Sequence, residues 1–197
     1  PHLDLYESYP DAYMSMGETA ENIAENYDLS REQQDGFAVE SQRKAVEAQK
    51  SGRLKKEIIP IETKSGKINE DGCIRADTTN ETLGGLKPAF RETGTVTAGT
   101  SSPLTDGASA VLVTTEEFAE KNGLEPLARI KSFAVSGCKP EIMGIGPVVS
   151  SKKAMKRAGI TADDLDVIEL NEAFSSQSLA AIQDLELDIA KINVDGG

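Results

Sequence analysis

The chain has 197 residues, 38% apolar and 27% charged, with a formal net charge of −12. Its acids are spread along the whole length, which argues against binding the phosphate backbone of a nucleic acid, since that needs a basic face. A phosphorylated small ligand stays open, because a few local Lys, Arg or backbone N–H groups suffice to hold one.

Pro1 at one end and Asp195-Gly196-Gly197 at the other read as cuts in a longer chain. No apolar run approaches the length of a membrane span and no signal peptide is visible. Cys73 and Cys138 lie far apart without CxxC spacing. That speaks against a disulfide framework or a zinc site and fits a reducing compartment, here the cytoplasm.

Met16 to Ser51 reads as helical. Thr19 to Tyr27 forms a short amphipathic set, and Ser30-Arg-Glu-Gln33 has capping-box spacing. The helix after it, Gln34 to Lys50, puts Phe37, Ala38, Ser41, Ala45 and Ala48 on one face, and Gly52 ends it. Ile58-Ile-Pro-Ile61 reads as a short edge strand, since Pro60 cannot donate to a ladder. Residues 64–97 carry turn chemistry with little period (Asn69 to Gly72, Asp77 to Asn80, Gly84-Gly85). Isolated Leu83, Leu86 and Phe90 favour an ordered excursion over a linker.

Ala108 to Val113 reads as a buried strand with small residues at its start. Glu116 to Asn122 is a short helix closed by Gly123, and Leu127 to Val135 an alternating strand. Pro147 to Ala158 is a helix with Gly159 just beyond it. Leu165 to Leu170 is an apolar strand, Glu172 to Leu187 a helix, and Ile192 to Val194 the start of another strand. This β-α-β-α-β order implies a layered α/β fold.

Three places could carry chemistry. Asn171 stands where a strand meets a helix. Taken alone it reads as an N-cap; functionally, an amide at the carboxyl end of a strand can fix a water or donate to an oxyanion. The loop Ala98-Gly-Thr-Ser-Ser102-Pro-Leu104 is equally a Ser/Pro turn or the lining of a narrow channel. Met143-Gly-Ile-Gly-Pro147 lacks a nucleotide fingerprint and reads as a tight turn. Arg75 reads as a solvated surface arginine, Cys73 and Cys138 lack an activating group nearby in sequence, His2 carries no weight at its end of the chain, and no metal cluster, paired carboxylates or triad spacing rises above background.

Met16-Gly-Glu-Thr-Ala-Glu-Asn22, Ser30-Arg-Glu-Gln-Gln-Asp35, Ala48-Gln-Lys-Ser-Gly52 and Glu57-Ile-Ile-Pro60 occur in that order. They are followed by Leu86-Lys-Pro-Ala-Phe90, Gly94-Thr-Val-Thr-Ala-Gly-Thr-Ser-Ser102, Asp106-Gly-Ala108 and Pro126-Leu-Ala-Arg-Ile130. Ile142-Met-Gly-Ile-Gly-Pro147, Leu170-Asn-Glu-Ala-Phe174 and Asn193-Val-Asp-Gly-Gly197 complete the series. Over essentially its whole length the chain resembles the thiolase family. The Gly-Thr-Ser-Ser form and Val135-Ser-Gly-Cys-Lys-Pro140 look most like the bacterial degradative 3-ketoacyl-CoA type, with the biosynthetic acetoacetyl-CoA type as the alternative.

The resemblance implies an incomplete thiolase-like layered α/β fold with a mixed α+β loop domain. Residues 1–104 would be a CoA-covering loop domain, residues 105–125 the end of the N-terminal half, and residues 126–197 the start of the C-terminal half. It implies ping-pong acyl transfer through a cysteine thioester, with CoA as substrate and no prosthetic group or metal. The nucleophilic Cys, the His of a Gly-His-Pro motif and a second Cys would lie outside this chain, so the chain alone is expected to be inactive.

Of the catalytic set only Asn171 is expected here, holding a water that supports an oxyanion. For CoA the resemblance implies Arg75 near the nucleotide end and Ser102 near the pantetheine arm. Phe90, Ala98, Leu104 and Met143 would be apolar channel walls, with Ala173 and Phe174 near the thioester. It further implies a homodimer or homotetramer, with a β-oxidation multienzyme partner as an option. Ser15 stands where biosynthetic members often carry a His, and Asp195 where Asn is more usual. A non-catalytic CoA- or lipid-binding protein on the same scaffold is the competing reading. A ketoacyl synthase would carry His where Asn171 stands.

Overall fold

Residues 2–197 are described by a computed structural model. Its organising pair is α2 (Met16–Asn26) and α3 (Arg31–Lys50), which follow a short exposed helix, α1 (Leu3–Ser8). The Ser15 hydroxyl caps α2 by accepting from the Glu18 N–H at 3.3 Å. Ser30 and Gln33 form the capping box that their spacing predicts, with reciprocal bonds of 3.2 and 2.8 Å. The expected face of α3 is buried at Ala38, Ser41 and Ala48 and half-buried at Phe37 and Ala45. Gln34 and Asp35 are buried with it.

β1 (Ile61–Thr63) and β2 (Gly66–Ile68) form an antiparallel hairpin in register Ile61↔Ile68 and Thr63↔Gly66. The strand expected over 58–61 is therefore displaced past Pro60. Pairing begins only where each residue has an N–H to give. The irregular excursion is ordered, as its apolar residues suggest. It contains α4 (Asn80–Gly84), which buries Leu83, and Arg31 ties α4 to α3 by donating to the carbonyls of Leu83 and Leu86.

Two expected strands are not formed. Residues 102–115 and 124–139 carry no hydrogen-bonded regular structure, and Val111, Leu112, Val113, Leu127, Ile130, Phe133 and Val135 are all more than half exposed. A strand needs a neighbouring strand to take its N–H and C=O groups, and among the described residues no strand pairs with these segments. The second lies along α6 (Gly146–Ala158), where Ser132 donates to the Ala154 carbonyl, and Lys153 and Arg157 donate to those of Val135 and Phe133. Between the two segments sits α5 (Glu116–Lys121), capped by Thr115. Of the last two strands a single parallel bridge forms, Ile168↔Ile192.

Helix α6 ends at Gly159 in the left-handed conformation (φ 72°), as its position predicts. Helix α7 (Ser175–Asp184) is shorter than the expected 172–187. At its start, Phe174 is bridged to Ser101 and held extended (φ −147°, ψ 145°), so the helix cannot begin earlier. At its end, Glu186 turns left-handed (φ 53°) and lets the Leu187 N–H close on the Ile182 carbonyl at 3.0 Å.

The core lies where α2, the turn Pro140–Ile145, α6 and α7 meet. Ile23, Ala24, Leu29 and Ala180 form one cluster, with Tyr27, Ile142, Ile145 and Leu179 packed on it. Val148, Ala181 and Leu185 form a second, joined through Ile145 and bordered by Met155, Leu170 and Leu187. The first and last thirds of the sequence are thereby locked together, and that packing builds the site.

Candidate functional site

Two segments distant in sequence meet at the start of α7. The Ser102 N–H donates to the Ala173 carbonyl at 2.9 Å, and Ser101 bridges Phe174 in antiparallel fashion. Next to them the rings of Phe90 and Phe174 stand edge to face, centroids 6.0 Å apart and planes at 79°. Such a pair adds about 1 kcal/mol beyond the area it buries. The other side of Phe90 rests on Gly17 of α2 so closely that a Cβ at position 17 would fall inside the ring.

The loop that reaches this junction is held from behind. Glu21 of α2 is 3% exposed, and its carboxylate accepts from the N–H groups of Thr95 and Val96 at 2.9 and 3.0 Å. Gln34 of α3 donates to the Thr95 hydroxyl at 2.9 Å. Thr97 and Thr100 then cap each other across the tight turn Ala98–Thr100. A buried carboxylate persists only when its charge is met by such donors, so the clamp fixes both Glu21 and the loop. Arg91 joins the same face of α2. Its guanidinium is bound by Glu18 at 2.8 Å and by Asn22, and the Glu18 hydrogen bond above all holds its pKa up.

Asn171 lies at the carboxyl end of the extended segment 165–170. Its N-cap reading is overturned: Phe174 occupies the cap position, and the Asn171 side chain is exposed and free of hydrogen bonds to the described residues. The amide is available to a ligand. Two residues before it, Glu169 has its pKa raised by partial desolvation, then by the charges of Asp195, Glu57 and Glu172.

The site residues expected from the sequence fall in three places. Phe90, Ser102, Ala173 and Phe174 come together at the junction, with Ala98 exposed on the turn just before it. Met143, partly exposed, belongs to the turn Pro140–Ile145, whose Gly144 rests on Gln177 of α7. Leu104 and Arg75 are not brought to the junction by any contact. Leu104 is fully exposed, and Arg75 is tied to α3, its N–H donating to Gln42 Oε1 at 2.7 Å.

Sequence reasoning missed Glu21, Gln34 and Asn193. A carboxylate on the small-residue face Gly17, Ala20, Ala24 was the available signal for Glu21. For Asn193 it was an Asn shortly before Gly-Gly, a place for left-handed backbone. Among the described residues no group of His, Cys, Asp or Glu could hold a metal ion, and no helix is long and apolar enough to cross a membrane.

Residues 4–117 match the family model described as Thiolase, N-terminal domain, and residues 124–197 that described as Thiolase, C-terminal domain. The chain is 46% identical to a 3-ketoacyl-CoA thiolase of Bacillus subtilis (strain 168), over 100% of this chain and 54% of that protein. It is 47% identical to an acetyl-CoA acetyltransferase of Paracoccus denitrificans, over 98% of this chain and 50% of that one. The solved structure of human mitochondrial 3-ketoacyl-CoA thiolase in complex with CoA superposes with a TM-score of 0.91 at 45% identity, covering 93% of this chain and 47% of that one. The chain thus spans about half the length of the relatives it matches.

Proposed function

Because this chain belongs to the thiolase family and has its fold, we propose that the complete protein is a 3-ketoacyl-CoA thiolase. It cleaves 3-ketoacyl-CoA with a second CoA, giving acetyl-CoA and a shortened acyl-CoA. The observation that carries this reading is the uncommitted amide of Asn171 at a strand end, a few residues from the junction of the 98–102 loop with Ala173 and Phe174. A side chain spent on capping could not serve a reacting oxygen; this one is open to water and ligand.

In this reading Asn171 holds the water that stabilises the oxyanion. Ala98, Ser102, Phe90, Met143, Leu104, Ala173 and Phe174 line the pantetheine and acyl path, and Arg75 meets the nucleotide end of CoA. The thioester chemistry uses a cysteine thiolate other than Cys73 and Cys138, so this chain by itself does not turn over. Residues 1–104 cover CoA, residues 105–125 belong to the N-terminal half and residues 126–197 to the C-terminal half. The complete protein works in the cytoplasm as a homodimer or homotetramer, with CoA and acyl-CoA as its small-molecule partners.

The biosynthetic direction is the second reading. It is favoured by the acetyl-CoA acetyltransferase names among the relatives and disfavoured by Ser15, which cannot offer an imidazole. Thiolysis assays of the full-length protein over 3-ketoacyl-CoA chain lengths, with acetoacetyl-CoA as the shortest, decide between them. Activity confined to acetoacetyl-CoA overturns the degradative reading, and activity on none overturns both.

A further inference from the structure

The two peptide groups on either side of Leu170, the second of which joins it to Asn171, are held by one side chain. Asn193 is 2% exposed, and its Oδ1 accepts from the Leu170 N–H at 2.8 Å while its Nδ2 donates to the Leu170 carbonyl at 2.7 Å. The same Nδ2 donates to Glu172 Oε1 at 2.6 Å. Its backbone N–H adds a bond to the Ile168 carbonyl at 2.8 Å. Because Leu170 offers both a donor and an acceptor, only one orientation of the Asn193 amide satisfies both, so its O and N positions are fixed by chemistry. Asn193 therefore acts as a one-residue strand. It continues the pairing begun at Ile168↔Ile192, where an ordinary backbone neighbour has already turned away.

The turn itself is secured. Asn193 has φ 43°, in the left-handed region that Asn tolerates better than other side-chain-bearing residues. The Gly196 N–H closes on the Asn193 carbonyl at 2.9 Å. From α3, Lys44 donates to the Ile192 carbonyl at 2.9 Å, and just beyond the helix Arg53 pairs with Asp195 at 2.6 Å. Gly197 lies so close to the Glu172 carboxyl, 2.7 Å from a Cβ built there, that a larger residue would push Glu172 off Asn193. In extended chain, successive side chains point to opposite sides. With Leu170 packed on the core beside Val148, Asn171 is turned outward.

We propose that Asn193 is the positioning residue for Asn171: by bonding to the Leu170 backbone on one side and the Glu172 carboxylate on the other, it aims the Asn171 amide at the water that supports the oxyanion. This rests on the reading of Asn171 given above. The role is indirect, since Asn193 is buried and touches no substrate. A catalytic amide misplaced by about an ångström can cost about 100-fold in rate.

The test is a double-mutant cycle in the full-length protein, measuring thiolysis of acetoacetyl-CoA, with Asn171→Ala, Asn193→Ala and the double variant. Asn193→Ala is expected to lower kcat about 10- to 100-fold and to leave the KM for CoA within about threefold. In the Asn171→Ala background the same change should cost less than about twofold, because residues acting as one unit are not additive. Equal losses in both backgrounds, or a loss confined to KM, overturn the proposal. Wild-type turnover in Asn171→Ala overturns the reading of Asn171 itself, and this inference with it.

Asn193→Asp guards against simple misfolding. It is nearly isosteric and keeps an acceptor for the Leu170 N–H, but it presents a carboxylate to the Leu170 carbonyl and to Glu172. A folded Asn193→Asp with kcat down at least about tenfold supports the proposal, and wild-type kcat in it overturns it. Loss of the folded protein in both variants also overturns it, since a purely structural role predicts that outcome.

Discussion

The ring of Phe174 is the meeting point of three parts of the chain, and its partner Phe90 stands edge-on to it at 6.0 Å. Phe90 rests on Gly17 of α2, while the backbone of Phe174 is bridged to Ser101. The geometry of the junction therefore depends on packing at α2 as much as on the loop itself. All substitutions considered refer to the full-length protein.

Asn171→Ala should lower kcat about 100- to 1000-fold, the usual range for loss of one oxyanion donor. Affinity for CoA should stay within about threefold, because the exposed amide makes no structural bond whose loss would disturb the loop. Steady-state kinetics with a binding measurement checks the split. Equal losses in turnover and affinity would argue for a structural role.

Glu21→Ala removes the acceptor for two buried N–H groups, at Thr95 and Val96. Its expected cost is about 3 kcal/mol, since bonds to a charged group and the stranded donors both count. Urea unfolding should show a lower midpoint with an unchanged slope. Glu21→Gln keeps one acceptor and should cost less.

Gly17→Ala should leave α2 helical, because alanine is favoured over glycine there by about 1 kcal/mol. Its Cβ has no room beside Phe90, so the ring must swing away from Phe174. The expected result is a raised KM for CoA with little change in unfolding midpoint. Phe90→Ala should give the same kinetic change, and the two substitutions together no more than either one.

Tyr27 and Asp184 join the ends of α2 and α7 by a hydrogen bond of 2.7 Å. Burial first, then that bond and the carboxylate's charge, push the phenol from 10.0 up to about 12. Because the folded state holds this proton more tightly, the contribution is complete below pH 10 and is lost as pH rises through about 12. Tyr27→Phe should therefore destabilise the protein at pH 8 by about 1 kcal/mol, and the difference from wild type should shrink above pH 10. A difference independent of pH would mean that the hydrogen bond carries none of it.

Ser30→Ala should cost about 1 kcal/mol, the usual value of an N-cap. Thermal unfolding checks it. The Gln33 backbone N–H loses its acceptor in this variant, but the Gln33 side chain keeps its bond to the N–H of residue 30, so Gln33→Ala should add a further, smaller loss.

Local chemistry was legible where each element closes its own hydrogen bonds. The capping box of Ser30 and Gln33, the buried stripe of α3 and the stop at Gly159 depend on neighbours a few residues away, so their spacing announces them. The family motifs were legible because each is a short run of consecutive residues that can be read without a partner from elsewhere. Strands need partners from elsewhere, and the apolar runs at 108–113 and 127–135 found none among the described residues.

Asn171 shows the division most clearly. Its residue type and its place between an apolar run and a helix were readable from sequence, and both fitted a cap. Only the tertiary structure decided otherwise, because the bridge from Ser101 holds Phe174 extended, delays α7 to Ser175 and leaves the amide free. Its aim rests on Asn193, which is 22 residues further along the chain. No local pattern can announce a bond between two segments that meet only when α2, α3 and α7 pack together.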